Sequence, residues 1–428
     1  MKKVCVSGRK FFASFIVLMF IAKLAFAGEI DLLVQKLVEK GVLSPGEAQQ
    51  IVTETKEEMK KEIAQAKSEA LPQWVQTMKL KGDFRLRYQY DHAKSLAASN
   101  QSPRNDQQRA RIRARLGIES KVNDKLKAGI GIATGTTTDP RSTNITLGSS
   151  STKKSVVLDY AYAQYSPLPW ATFVGGKFQN PLWEPSDLIW DTDITPEGGA
   201  AKLAYDLNPN TQLFANTGVL IIGEASGDEA DPTMYVVQTG LKQKITETVS
   251  LKGAVSYYGT TGLKGKTLVG TSGTNSLSGT GLSYEYINIT PAIELGIKEP
   301  FKQLGVNIPY LAFFGEYVNN VAEDVTENSG YIAGFKLGAE KLEKWGDWQT
   351  KYSYAMLEKD AVLDILPDSD RYGGKTGMRS HEFGIDWGLG KNTWLGVDYY
   401  YGWQLPGNFS QKQTKPATVL QVDWNLKF

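Results

Sequence analysis

The sequence predicts an all-β fold: a transmembrane antiparallel β-barrel of about sixteen strands, preceded by a short N-terminal helical region. Three observations carry this expectation. Past Pro72, apolar and polar residues alternate one by one through run after run. The connectors between the runs alternate between a short turn and a long polar loop, and aromatic residues gather toward the ends of the runs. The last run, Thr418 to Phe428, is the clearest. Thr418, Leu420, Val422, Trp424, Leu426 and Phe428 share one face of an extended strand, and Gln421, Asp423, Asn425 and Lys427 share the other. The first face suits hydrocarbon and the second suits water. By its 428 residues alone the chain could hold two or three soluble domains, yet it has 42 Gly and 20 Tyr and a negative mean hydropathy. Past the N-terminus it contains no apolar run long enough for a membrane helix. A soluble all-β protein and a barrel diluted by alternation both fit that composition, so the repeat of the pattern has to decide.

The first 27 residues read as a secretory signal peptide. Lys2, Lys3, Arg9 and Lys10 form a basic region, residues 11–22 an apolar core, and Ala25-Phe26-Ala27 a small-x-small cleavage site before Gly28. Its removal takes away five basic groups and no acidic ones, leaving 43 basic against 46 acidic and a formal charge of −3. That balance gives no support to a nucleic-acid partner. The single cysteine, Cys5, leaves with the signal, so the mature chain carries no thiol for a disulfide or a thiolate-bound metal.

Residues 28–72 are expected to form a periplasmic helical segment. Ile30, Leu33, Leu37 and Val38 recur at helical spacing, and Gly41 stops this first helix. Ser44-Pro45-Gly46-Glu47 restarts it with a capping box and Pro at the first helical position. Val52, Lys56, Met59, Ile63, Ala66 and Ala70 then follow a four-three spacing. A short coiled coil and a solvated amphipathic helix both fit that spacing. Pro72 ends the helix.

Residues 73–428 are expected to form the barrel. The predicted strands are 78–90, 109–121, 125–134, 156–165, 170–178, 200–207, 212–221, 234–245, 249–258, 282–298, 308–318, 331–342, 348–357, 381–389, 393–401 and 418–428. Alternation is weak in 156–165, in 212–221 and near Tyr286-Ile287, which leaves the strand number open by two. Turns such as Val122-Asn123-Asp124, Asn208-Pro209-Asn210 and Gly390-Lys391-Asn392 carry turn chemistry. Between them lie long connectors at 91–108, 135–155, 180–199, 223–233, 259–281, 319–330, 358–380 and 402–416. A soluble sandwich has no reason to sort its loops this way, whereas a barrel inserted from one side does. The Gly/Ser/Thr-rich piece 259–281 reads as a mobile surface loop. Tyr88, Tyr160, Tyr162, Tyr257, Tyr317, Trp394 and Trp424 are among the aromatics expected at membrane interfaces.

Together, the signal peptide, the charged helix, the long barrel and the terminal phenylalanine resemble the "putative porin" family of Gram-negative outer membranes, related to general and phosphate-type trimeric porins. The segments that carry the resemblance are Phe173 to Pro181, with its Gly-Lys-aromatic run, and Val422 to Phe428. The resemblance implies passive diffusion of small hydrophilic solutes or ions through a water-filled barrel, as a homotrimer. It also implies outer-membrane lipid and the outer-membrane assembly machinery as partners. Trp424 and Phe428 are the expected assembly signal.

If the apolar set faces lipid, the interleaved set faces the lumen. On the first two strands that set is basic: Lys79, Lys81, Arg85, Arg87, Arg109, Arg111, Arg113 and Arg115. Residues two apart on one face lie about 7 Å apart and neighbouring strands about 5 Å apart, so these groups would make one cationic wall. The expected counterpart is the third long connector, 180–199, with Glu184, Asp187, Asp191, Asp193 and Glu197. Folded inward, it would set up a transverse field across a constriction. Simple pairing of the arginines to satisfy a polar interior is the alternative. No cofactor, metal or catalytic site is expected: His92 and His381 have no paired metal spacing, and no nucleophile or phosphate-loop motif occurs in the right context. A barrel serving as a structural or adhesion anchor, with the helix as a periplasmic tether, is the other reading.

Overall fold

The computed structural model describes residues 34–70, 72–92, 106–224, 231–406 and 416–428, and omits the side chains of residues 56, 59–70 and 73. The signal peptide and most positions of the expected coiled-coil seam lie outside the described residues. Two compact units are present, Met1–Gln76 and Thr77–Phe428.

In the first unit, residues 34–39 are helical and end where Gly41 takes a φ of 68°. The Gly41 N–H donates to the Val38 carbonyl at 2.9 Å and the Val42 N–H to the Leu37 carbonyl at 3.0 Å, the double bond of a Schellman stop. Helix α1, Pro45–Ala70, then begins with the expected capping box. The Glu47 N–H donates to Ser44 Oγ at 3.3 Å and the Ser44 N–H to Glu47 Oε2 at 2.9 Å. A further turn of helix, α2, covers Gln73–Gln76 beyond Pro72.

The second unit is one closed sheet. Its long strands are β1 Lys79–His92, β2 Gln107–Lys121, β3 Leu126–Thr134, β4 Val156–Leu168, β5 Ala171–Lys177, β6 Glu197–Asn208, β7 Thr211–Ile221 and β8 Thr233–Lys244. They continue as β9 Val249–Thr261, β10 Ile287–Lys298, β11 Tyr310–Asn320, β12 Ser329–Gly338, β13 Trp348–Leu357, β14 Met378–Gly390, β15 Thr393–Gln404 and β16 Ala417–Lys427. Each pairs antiparallel with the next, and β16 closes onto β1. Sixteen strands thus complete the wall, with no unpaired edge. The seam is in register from Asp83–Lys427 to His92–Thr418. It ends in a reciprocal pair between Gly82 and Phe428, both N–H···O distances 2.9 Å.

Side-chain direction follows the alternation. Leu86 and Tyr88 are 38% and 44% exposed on the outside, while Arg87 and Gln89 between and beyond them are each 4% exposed. Leu116, Ile132, Val255, Ile293, Phe313 and Ile385 share the outer surface.

The three weak runs have separate causes. In β4 the pairing jumps from Gly131–Tyr160 to Ile132–Leu158, so Asp159 forms a bulge. The bulge turns Tyr160 and Tyr162 inward rather than to an interfacial girdle. Tyr162 donates to Glu119 at 3.0 Å, and Tyr160 lies over Gly117 and Gly131, where a Cβ would come within 1.7 Å of its hydroxyl oxygen and 2.3 Å of its ring. In β7 the inner face mixes Gln212 and Asn216 with apolar Phe214 and Leu220, which pack against a loop folded inside. Strand β10 starts only at Ile287. Leu282 and Tyr286, expected in a strand, are buried among loops instead.

Gly82 is where the closing seam is tightest: a Cβ there would lie 2.4 Å from Phe428 Cζ. Gly82→Val should displace the terminal ring at an overpacking cost of about 1–3 kcal/mol. The temperature at which the folded barrel loses its compact gel mobility should fall, and no fall would mean the ring is not seated there.

Candidate pore constriction

The interior is divided by the loops that enter it. The third long loop, 178–196, contributes Leu182, Leu188, Ile189, Trp190 and Ile194 to an apolar cluster, and the seventh, 358–377, contributes Ala361, Val362, Leu363 and Leu366. They pack with Leu263 and Tyr286 of the fifth loop onto inward Leu220, Val236, Tyr258, Phe314, Val318, Ile332 and Leu357. A fully buried aliphatic or aromatic side chain contributes about 1.5–3 kcal/mol. That drive holds both loops against the β7–β14 side of the barrel.

Hydrogen bonds fix their position. Gln238 on β8 grips the Trp183 backbone, accepting from its N–H and donating to its carbonyl, both at 2.8 Å. Tyr258 donates to Glu184 at 2.6 Å and Ser186 to Glu316 at 2.5 Å. The seventh loop is held by Asn288 and Asn320, which donate to the carbonyls of Ala361 and Asp360 at 2.5 and 2.8 Å. The two loops also join each other: the Asp191 N–H donates to the Leu366 carbonyl at 2.7 Å, and the Ser369 N–H donates to Asp191 Oδ2 at 2.9 Å. Burial, reinforced by the neighbouring Asp193, pushes the Asp191 carboxyl up to about 8. The Glu184 carboxyl is raised by burial and then by Glu316.

The fifth loop, expected to be mobile, is tied down. Asp364 accepts from Thr271 Oγ1 at 2.6 Å and from the Thr274 N–H at 2.7 Å, and Asp360 accepts from the N–H and hydroxyl of Ser276 at 2.8 and 2.6 Å. Arg141 of the second loop donates to the carbonyls of Asp364, Gly374 and Gly270 at 2.8, 3.0 and 3.1 Å, joining three loops.

On the opposite side, between the loops and strands β13–β16, β1 and β2, lies a polar chamber of about 270 Å³. Arg87 is its most heavily engaged group. Its Nε and Nη2 both donate to Asp423 at 2.8 Å, and its Nη1 donates to Asp370 at 2.8 Å. Arg85 lies 3.3 Å from Asp423 and donates to Asn425 at 2.9 Å. Asp83 accepts from Arg113 and Arg115 at 2.8 and 2.7 Å, and Asp193 lies 3.7 and 3.1 Å from the same two. Lys351 bridges Glu382 at 2.6 Å and Asp398 at 3.1 Å, and the buried Arg371 also bonds Glu382.

The eight basic residues of β1 and β2 therefore sit in three tiers. Toward the short-turn end, Lys79 is exposed and Lys81 pairs with Glu119 at 2.6 Å. In the middle, Arg85, Arg87, Arg113 and Arg115 meet carboxylates of β1, β16 and both loops. Toward the long-loop end, Arg109 pairs with Asp91 at 2.5 Å, and Arg111 donates to Gln89 at 2.9 Å. Of the five acids singled out on the third loop, only Asp193 reaches these arginines. Asp187 lies 3.7 Å from Arg371, Asp191 holds the seventh loop, and Glu184 meets Tyr258. Glu197 is not in the loop: it opens β6 and pairs with Lys177 at 3.1 Å. By composition the seventh loop is a long polar connector, yet it folds into the barrel. Its Ala361-Val362-Leu363 and Ile365-Leu366, apolar residues in an otherwise polar loop, were the available signal that it folds inward.

A closed barrel with an apolar outside and a charged interior narrowed by its own loops defines a membrane channel. Comparison with known proteins agrees. The chain belongs to the family described as "Putative porin", whose model matches residues 94–280 and 272–428. It is an outer-membrane channel of the Gram-negative type that lets small hydrophilic solutes diffuse passively, and the family match lends nothing to the anchor alternative. The high-pH structure of OprB from Pseudomonas putida is similar in fold, with a TM-score of 0.54 at 10% identity, covering 83% of this chain and 95% of that one. The outer membrane channel DcaP of Acinetobacter baumannii aligns at a TM-score of 0.47 and 15% identity, over 82% of this chain and 97% of its own. OmpT of Vibrio cholerae in its trimer form aligns at 0.45 and 11%, over 82% and 99%. No curated protein matches the sequence.

Two outcomes test the loop docking. Arg371→Met leaves Glu382 buried with one cation fewer, and breaking a buried pair costs about 3–5 kcal/mol. Protease added from outside should then nick 358–377 faster while the barrel melts as before. The second concerns pH. The Asp191 carboxyl is raised above its ordinary 3.8, so its contribution to docking is full below that pH and is lost as pH rises through about 8. Hydrogen exchange at 366–370, corrected for its intrinsic pH dependence, should show less protection at pH 9 than at pH 6.

Proposed function

We propose that solutes cross along the charged arc, between the basic residues of β1 and β2 and the acidic edges of the third and seventh loops. In this reading the constriction is built from Arg85, Arg87, Arg113 and Arg115 on the wall and Asp187, Asp191, Asp193 and Asp370 on the loops. Lys79 and Lys81 lie toward one mouth and Arg109 and Arg111 toward the other, with Glu184 and Glu197 supporting the third loop at its two ends. The observation that carries it is the chamber of about 270 Å³, which lies on the side that the loops' apolar cluster leaves free. Opposed charges across a narrow polar passage exclude apolar solutes and orient dipolar ones.

The working unit in this proposal is a homotrimer, in keeping with the trimer form reported for OmpT of Vibrio cholerae. Residues 1–27 are removed as a signal peptide, and 28–72 stand in the periplasm as a helical segment able to pair as a coiled coil. Trp424 and Phe428, at the end of the closing strand, are read by the outer-membrane assembly machinery. One recording tests the channel and its oligomer together. Purified protein in a planar lipid bilayer should give ohmic conductance in steps grouped by threes. A silent bilayer with folded protein present would end the transport reading, and single unit steps would end the trimer.

A further inference from the structure

Resting on the reading of the chamber as the solute path, we propose that this path favours cations, and among organic solutes those bearing an amine over those bearing a carboxylate. Five basic and eight acidic side chains line the chamber. Every one of the basic groups is engaged. Arg87 holds two carboxylates and Lys351 two more, while Arg85 and Arg113 share Asp423, Asp83 and Asp193. Arg141 is spent on backbone carbonyls.

The acids are not all answered. Asp386 makes no ion pair among the described residues although it faces the chamber. Asp368 is 9% exposed, and its Oδ2 accepts no hydrogen bond. Independently of the charge tally, Gln421 lines the same space at 1% exposure, beside Asp370, and its amide oxygen accepts no hydrogen bond. A hydrated cation or an ammonium group supplies the donors that Asp368 Oδ2, Asp386 and the Gln421 oxygen can accept; an anion supplies none.

The tally keeps its sign when protonation is allowed for. Burial raises the Asp368 carboxyl as well as that of Asp191; with both neutral, six carboxylates still face five cations. Among the described residues no three carboxylates converge closely enough to hold a metal ion, so the effect is a preference in permeation and not chelation. In a narrow passage bounded by protein, a fixed surplus of one sign raises the local concentration of the other.

The test uses the full protein in a planar bilayer under a potassium chloride gradient. The reversal potential should report potassium favoured over chloride. Asp368→Asn with Asp386→Asn should lower that permeability ratio by about twofold or more while conductance steps persist, and Glu323→Gln, in an exposed loop, should leave it unchanged. In liposomes containing the unmodified protein, a small primary amine should enter faster than a carboxylate of equal size. Conducting channels that favour chloride, a ratio indifferent to the double substitution, or faster carboxylate entry would each overturn the preference and leave the pore intact. A silent bilayer would remove the pore and the preference with it.

Discussion

The apolar residues on the third and seventh loops set the arrangement of everything else inside the barrel. Leu188, Ile189, Trp190, Val362 and Leu363 sit on segments that leave the wall and would meet water on every side if they simply projected outward. Burial against inward-facing residues of β7–β14 is the arrangement that removes them from water. Those strands accordingly carry Leu220, Val236 and Phe314 on a face that elsewhere in the barrel is charged or polar. The polar chamber is thereby left on the β13–β16, β1 and β2 side.

Charge follows the same geometry. A strand in a membrane wall has one face in hydrocarbon, so ionised groups on it must turn inward and find partners there. The arginines of β1 and β2 do so within the wall itself, through Asp83 and Asp423, and across the lumen through Asp193 and Asp370. Each cross-lumen contact also ties a loop to the wall. The electrostatic network and the apolar cluster thus hold the same two loops from opposite sides, which confines the space between loops and wall to the charged chamber. Arg141 and the Asp360–Asp364 pair extend the restraint outward, since they join the second, fifth and seventh loops above it.

How much could be read from the sequence depended on the range of the interaction. Strand periodicity is local, and it located the wall to within a few residues at most strand ends. It failed where something non-local intervened: the Asp159 bulge that turned Tyr160 and Tyr162 inward, the loop packing that put apolar Phe214 and Leu220 on the inner face of β7, and the burial of Leu282 and Tyr286 outside the barrel strands. Glu197 was misplaced for the same reason, because its pairing with Lys177 across β5 and β6 extends the ladder past the apparent loop boundary.

By itself the sequence determined that this chain closes a barrel with hydrocarbon outside and charge inside, since alternation at a period of two fixes side-chain direction before any contact forms. It also determined which loops are long and that the first two strands are basic. Which carboxylate meets which arginine was decided only by the tertiary structure. Asp370 and Arg87 are 283 residues apart, and they meet because the seventh loop folds back across the lumen. No pattern along the chain encodes that distance; it arises when separate loops bury their apolar residues in one shared interior.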